Sequence, residues 1–219
     1  MALSFPSNPV NGQVYSRYIY DSSISAWRNI NNSEGIGLQY TSGLVPVIPT
    51  SVVVGSGSAS VSTDGVVTFT NASYISFNGI FSSAYKNYQI IHETSSRSTT
   101  SWSVYRLRAS GTDNTSGYDR TISAYTNVNT PQANASTNGT DFGFAITATA
   151  MNNTIMEIMS PNLSTPTTTH ARWLEGSSGS AIYSNWGHGF HRSSTSFDGL
   201  SVIHASGTAT GTIRIYGFR

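Results

Sequence analysis

Few side chains in this sequence could carry bond chemistry, and they are scattered. Its ten carboxylates are Asp21, Glu34, Asp64, Glu93, Asp113, Asp119, Asp141, Glu157, Glu175 and Asp198. Most fall in segments that read as turns, where aspartate is favoured by turn geometry alone. A glycosidase needs two carboxyl groups facing one cleft. Glu93 and Glu157 lie on segments with strand character and are the one pair that could supply them, but ordinary surface placement explains both. Cysteine is absent, which removes thiol nucleophiles, disulfides and thiolate metal sites. No glycine-rich segment follows a strand and opens a helix, so the Asn138-Gly-Thr triplet and its like are turns and not phosphate loops. The expectation is a protein that is not an enzyme and holds neither cofactor nor metal.

Of the five histidines, His92, His170, His188, His191 and His204, two fall in the densest local cluster, Trp186-Gly-His188-Gly-Phe190-His191-Arg192. If that segment curled, His188 and His191 would approach one ion. Two imidazoles with no acid or thiolate beside them make a poor site, however. The segment reads as a glycine-rich exposed loop. Aromatic faces ringed by planar hydrogen-bonding groups suit recognition of sugars or protein surfaces. The candidate receptor-binding residues are therefore Trp186, His188, Phe190, His191 and Arg192, joined by Tyr118, Asp119 and Arg120 after the loop at 110–117. Trp102 and Trp173 fit either this surface or the core.

The elements that must position these residues are strands. The 219 residues suffice for one large β domain with a small appendage. Period-two alternation marks strands near 51–54, 59–62, 66–70, 74–77, 88–94, 103–109, 121–126, 142–149, 154–159, 170–174, 181–185, 200–205 and 212–218, with Gly, Asn, Asp and Ser clusters between them. The expected fold is all-β, an antiparallel, jelly-roll-like β-sandwich over 51–219. Its expected core is Val67, Phe69, Ile75, Phe77, Ile91, Leu107, Phe144, Ile146, Ile158, Leu174, Ile203, Ile213 and Ile215. A one-residue register slip would turn any strand inside out. The alternation in Gly211-Thr-Ile-Arg-Ile-Tyr-Gly-Phe-Arg219 runs to the last residue, so that segment is expected to be pinned in a sheet.

Residues 1–50 read as a separate attachment module ending in an extended linker. Pro6 and Pro9 disfavour helix. The stretch from Val14 to Tyr20, a turn at Asp21-Ser-Ser23 and a strand to Trp27 suggest a two-stranded hairpin, marginal alone in water and so in need of a partner. The prolines of Leu44-Val-Pro-Val-Ile-Pro49 exclude a central strand.

Only 10% of residues are charged and the net charge is +1, so the clustered cations of a nucleic-acid binder or a membrane-surface patch are missing. No apolar run reaches membrane-spanning length. The first residues lack the charged and apolar regions of a signal peptide, so synthesis in a cytoplasm without export is expected.

Two stretches resemble structural proteins of tailed-phage virions, in particular those of phages of cyanobacteria and other marine bacteria. Pro6-x-x-Pro9-x-x-Gly12-Gln13-x-Tyr15, with Tyr20-Asp21 and Trp27, is similar to an aromatic motif at the start of modules in phage tail-fibre and structural proteins. The run from Tyr74 to Ile91, Tyr105-Arg-Leu-Arg-Ala-Ser-Gly111 and the closing Gly211–Arg219 resemble C-terminal β domains of virion proteins. The resemblance implies a virion component on the tail or capsid surface, a tail fibre or receptor-binding protein. It implies a homotrimer that docks on other virion proteins through Phe5, Pro6, Pro9, Tyr15, Tyr20 and Trp27 and meets a host-surface glycan or protein distally. A head-decoration or baseplate protein without a receptor, and a carbohydrate-binding module from another setting, are the alternatives.

Overall fold

The computed structural model describes residues 6–15, 18–23, 25–29, 43–100, 102–126, 131–144, 152–175 and 183–218. The chain forms two compact units, 1–42 and 43–219. The first holds a three-stranded antiparallel meander of β1 (Val14–Tyr15), β2 (Tyr18–Asp21) and β3 (Ala26–Asn29). The expected hairpin is its β2–β3 half. Asp21 closes the turn because its carboxylate accepts hydrogen bonds from the Ser23 amide at 2.9 Å and the Ser23 hydroxyl at 2.5 Å.

The second unit opens with β4 (Leu44–Pro46), β5 (Ser51–Val54), β6 (Ser58–Val61), β7 (Val67–Ala72), β8 (Tyr74–Asn78), β9 (Asn87–Arg97) and β10 (Ser103–Ala109). There follow β11 (Thr112–Asp113), β12 (Tyr118–Thr126), β13 (Pro131–Gly139), β14 (Phe142–Phe144) and β15 (Asn152–Met159). The last are β16 (Thr167–Glu175), β17 (Tyr183–His191), β18 (Gly199–His204) and β19 (Ala209–Phe218). No helix occurs among the described residues, and every strand pairing is antiparallel. One sheet of six strands runs β11-β10-β18-β8-β5, with β14 also on β10; the other, of ten, runs β13-β12-β17-β16-β15-β9-β19-β7-β6, with β4 on β19. A single apolar cluster joins the two sheets, so the fold is an antiparallel β-sandwich. Within this unit the proline-bearing segment forms β4, against Tyr216–Phe218 of β19. Pro46, the one proline of β4, is tolerated because only three residues pair.

β19 buries every second residue from Ala209 to Gly217, which places Ile213 and Ile215 inside. Val67, Phe69, Ile75, Phe77, Leu107, Phe144 and Ile158 are buried as expected. Three expected core residues are not. Ile91 and Ile203 are half-buried, and Leu174 is 53% exposed. On β16 the inward residues are Thr167, Thr169, Ala171 and Trp173, so the register places Leu174 outside. Ile146 lies outside the described residues.

One end of the core is polar. His92 Nδ1 lies 2.9 Å from the Tyr105 hydroxyl and His92 Nε2 3.2 Å from the Thr94 hydroxyl. His204 Nδ1 lies 3.1 Å from the Ser103 hydroxyl, which accepts a bond from Arg97 at 2.5 Å. Phe69 packs against both imidazoles. Burial pushes His92 well down and His204 down to about 3, with the Arg97 guanidinium adding to both and each imidazole remaining neutral. Burial likewise pushes the Tyr105 phenol up to about 12.

Candidate functional site

The expected exposed loop at 186–192 is a strand. Tyr183–His191 forms β17, hydrogen-bonded on both sides, to β12 and to β16. The reason lies in its alternation. Gly187 and Gly189 point inward, where a Cβ on Gly187 would meet the Phe144 ring at 2.5 Å and one on Gly189 the Phe142 ring at 2.5 Å. The glycines make room for two stacked phenylalanines beneath the sheet. Trp186, His188 and Phe190 point outward instead, with Trp186 45% and Phe190 40% exposed.

Register then sets neighbours beside them. One row across the outer face runs Ser123, Trp186, Arg172, Ile155, Ile91. The next runs Thr121, His188, His170, Glu157, Gln89. Between the rows lies a cleft of about 220 Å³ lined by Ile155, Glu157, His170, Arg172, Trp186 and His188, among others. The Tyr125 ring meets Trp186 edge-on at 5.8 Å and extends the aromatic surface. Neither Arg172 nor Glu157 has an ion-pair partner among the described residues. The cleft thus offers an indole face, two imidazoles, a guanidinium and a carboxylate on one face of the sheet. Arg172, His170, Glu157 and Tyr125 are not among the expected receptor-binding residues. A period-two reading of β16 would have found the first two, since they alternate with the inward Thr169, Ala171 and Trp173.

The remaining sequence candidates divide. His191 and Tyr118 are fully buried core residues, their rings 4.5 Å apart and edge to face. His191 Nε2 donates to the Ser116 carbonyl at 3.0 Å and lies 3.2 Å from Asn114 Oδ1. The Tyr118 hydroxyl donates to the Asn114 carbonyl at 3.0 Å and accepts from the Leu107 amide at 2.9 Å. Burial lowers the His191 pKa and raises that of Tyr118. Both tie the 110–117 loop to the sandwich. Exposed Arg192 and half-buried Asp119 bind each other through two hydrogen bonds, at 2.7 and 3.0 Å. Arg192, together with the Asn138 amide, holds the Asp119 carboxyl below its usual range. Arg120 pairs with Asp141 at 3.1 Å. In the N-terminal unit, Tyr20 and Trp27 stand opposite each other with ring centroids 5.5 Å apart. Pro6 and Pro9 are half-buried, Tyr15 ends β1, and Phe5 lies outside the described residues.

Glu93 and Glu157 share the outer face of β9 and β15, but Glu93 stands opposite Asn153 and Glu157 opposite Gln89. Four residues of strand separate them, about 13 Å at ~3.3 Å per residue. That exceeds the span over which two carboxyl groups attack one glycosidic bond. Glu93 is engaged instead by Thr212 and Arg214, both at 2.9 Å, which lower its pKa.

No family model matches the chain, and no curated protein matches it. Among solved structures it is similar to a crystal structure of a protein of unknown function from Shewanella oneidensis MR-1. That match has 10% identity and a TM-score of 0.19, over 80% of this chain and 77% of the other.

Proposed function

We propose that this protein is a non-enzymatic virion component of a tailed phage, a tail-fibre or receptor-binding protein whose outer β15–β16–β17 face recognises a host-surface glycan. The observation that carries the binding part is the cleft between the two rows. Trp186 offers an exposed ring face to the apolar side of a sugar. Arg172, Glu157, His170 and His188 surround it with donors and acceptors for hydroxyl groups. Such sites are apolar platforms with a few placed polar groups on a scaffold that does not move. The phage assignment rests on the resemblance carried by Pro6 to Trp27, Tyr74 to Ile91 and the closing strand. Assembly as a homotrimer belongs to the same reading, with the first 42 residues facing the particle.

A glycan array probed with the purified protein tests the binding. Wild type is expected to select a small set of sugars, and Trp186→Ala to lose at least about tenfold in affinity, as for an aromatic anchor at the centre of an interface. Unfolding of that variant should remain cooperative and near the wild-type midpoint, since the indole is half exposed. Wild type that ignores every glycan and every host cell would leave a head or baseplate role in its place. Native mass spectrometry tests the trimer, which a stable monomer would overturn.

A further inference from the structure

We propose that His170 and His188 form a site for a divalent transition-metal ion on the outer face of the large sheet. The site goes beyond the glycan reading and does not depend on it. The two residues stand directly opposite each other on β16 and β17, so the sheet itself brings them together. Their Nδ1 atoms are 3.2 Å apart and the rings are nearly perpendicular, at 88°. Two nitrogens bound to one ion at about 2.0–2.1 Å lie roughly 3.0 Å apart at a right-angled corner and roughly 3.4 Å apart at a tetrahedral one. The observed separation falls between these. Without metal, one Nδ1–H donates to the other Nδ1, so a single proton bridges the pair. A cation takes that position when the bridging proton moves to Nε2 of its own ring, so that both residues bind through Nδ1 as neutral Nε2–H imidazoles.

The surroundings favour such an ion. Both side chains are exposed, so entry needs no opening. Two imidazoles select Cu²⁺, Ni²⁺ or Zn²⁺ over Ca²⁺ and Mg²⁺, which prefer oxygen. Glu157 stands opposite His170 and lines the same cleft, and no ion pair holds its carboxylate elsewhere among the described residues. No three His, Asp or Glu side chains already converge among the described residues. Glu157 must therefore rotate inward to become a third ligand, and water completes the shell. Arg172, in the adjoining row, is the one cation lining the cleft and opposes the charge. The other three histidines, His92, His191 and His204, are buried, and there is no cysteine, so competing strong sites are few.

Cu²⁺ is the most sensitive probe because it binds nitrogen sites most tightly of these ions. Full-length protein at pH 7.5 in a non-chelating buffer is titrated with CuCl₂ and followed by electron paramagnetic resonance, with ZnCl₂ calorimetry alongside. One ion per chain with coupling to two nitrogens is expected. His170→Ala and His188→Ala should each lose about tenfold or more, because the second ligand acts at high effective concentration. Coupling should fall to one nitrogen in each variant, and Glu157→Gln should weaken binding less. Circular dichroism confirms that these surface variants stay folded, and His170→Gln serves if His170→Ala does not. Equal affinity in wild type and both histidine variants, or a wild-type spectrum with one nitrogen, overturns the site. Either result leaves the glycan array outcome untouched.

Discussion

Gly187→Val is expected to destabilise the C-terminal unit by ~3 kcal/mol or more, at the upper end of what overpacking costs in a filled core. A Cβ at that position would meet the Phe144 ring at 2.5 Å and Trp173 at 3.1 Å. Phe144 cannot retreat easily, since it stacks on Phe142 and packs against Tyr105. Val is also a good strand former, so propensity opposes the expected loss and any loss reports packing. Urea unfolding of four proteins makes the argument decisive: wild type, Gly187→Val, Phe144→Leu and the double variant. Removing part of the ring should restore some stability in the double variant, a coupling that two contacting residues must show. Ser123→Val, directly opposite Trp186 on the exposed face, should change stability by less than about 0.5 kcal/mol. Gly187→Val as stable as wild type would mean that β17 does not alternate as described and that the outer rows do not exist.

Acidification should destabilise the C-terminal unit well before its carboxylates are protonated. His92 and His204 have folded-state pKa values depressed below the ordinary 6.5, that of His204 to about 3. Well above pH 6.5 both residues are neutral in folded and unfolded chains alike and add nothing to the pH dependence. Below it the unfolded chain takes up protons that the folded chain refuses, so stability falls as pH falls. Each histidine contributes a slope of ~1.4 kcal/mol per pH unit, so the pair removes on the order of 4 kcal/mol between pH 7 and 5. That is a large share of the ~5–15 kcal/mol that holds a domain together. His191, also depressed by burial, adds in the same direction. The lowered carboxyls of Glu93 and Asp119 act only below their unfolded values near 4, so the window from pH 7 to 5 isolates the histidines. Denaturant midpoints across that window measure the slope. His204→Asn, which can retain a hydrogen bond to Ser103, should make it shallower by about one histidine's worth. A flat profile from pH 7 to 5 would show that the two imidazoles are hydrated or protonated in the folded chain.

The strand alternation explains why some residues were legible and others were not. Ile213 and Ile215 could be assigned inside from sequence because Thr, Arg and Tyr alternate with them and leave one plausible face. Leu174 could not, because its inward neighbours on β16 are threonine, alanine and tryptophan, and nothing local says that an aliphatic residue must lose to a threonine. The 186–192 segment failed as a strand because two glycines suggest a loop. They are tolerated there only because Phe142 and Phe144, more than forty residues earlier, fill the space beneath them. β13, with the composition of a linker, is a strand because β12 pairs with it at the sheet edge.

Local chemistry in the chain therefore determined the all-β class, the absence of thiol chemistry, part of the apolar interior and the aromatic–histidine character of the 186–192 segment. Those properties depend on side-chain type and period two, which a linear sequence carries. The tertiary structure alone decided that Trp186, His188 and Phe190 face outward while His191 turns in, and that His170, Glu157 and Arg172 stand beside them. Antiparallel register sets these neighbours, and register follows from which faces of distant strands must be buried together.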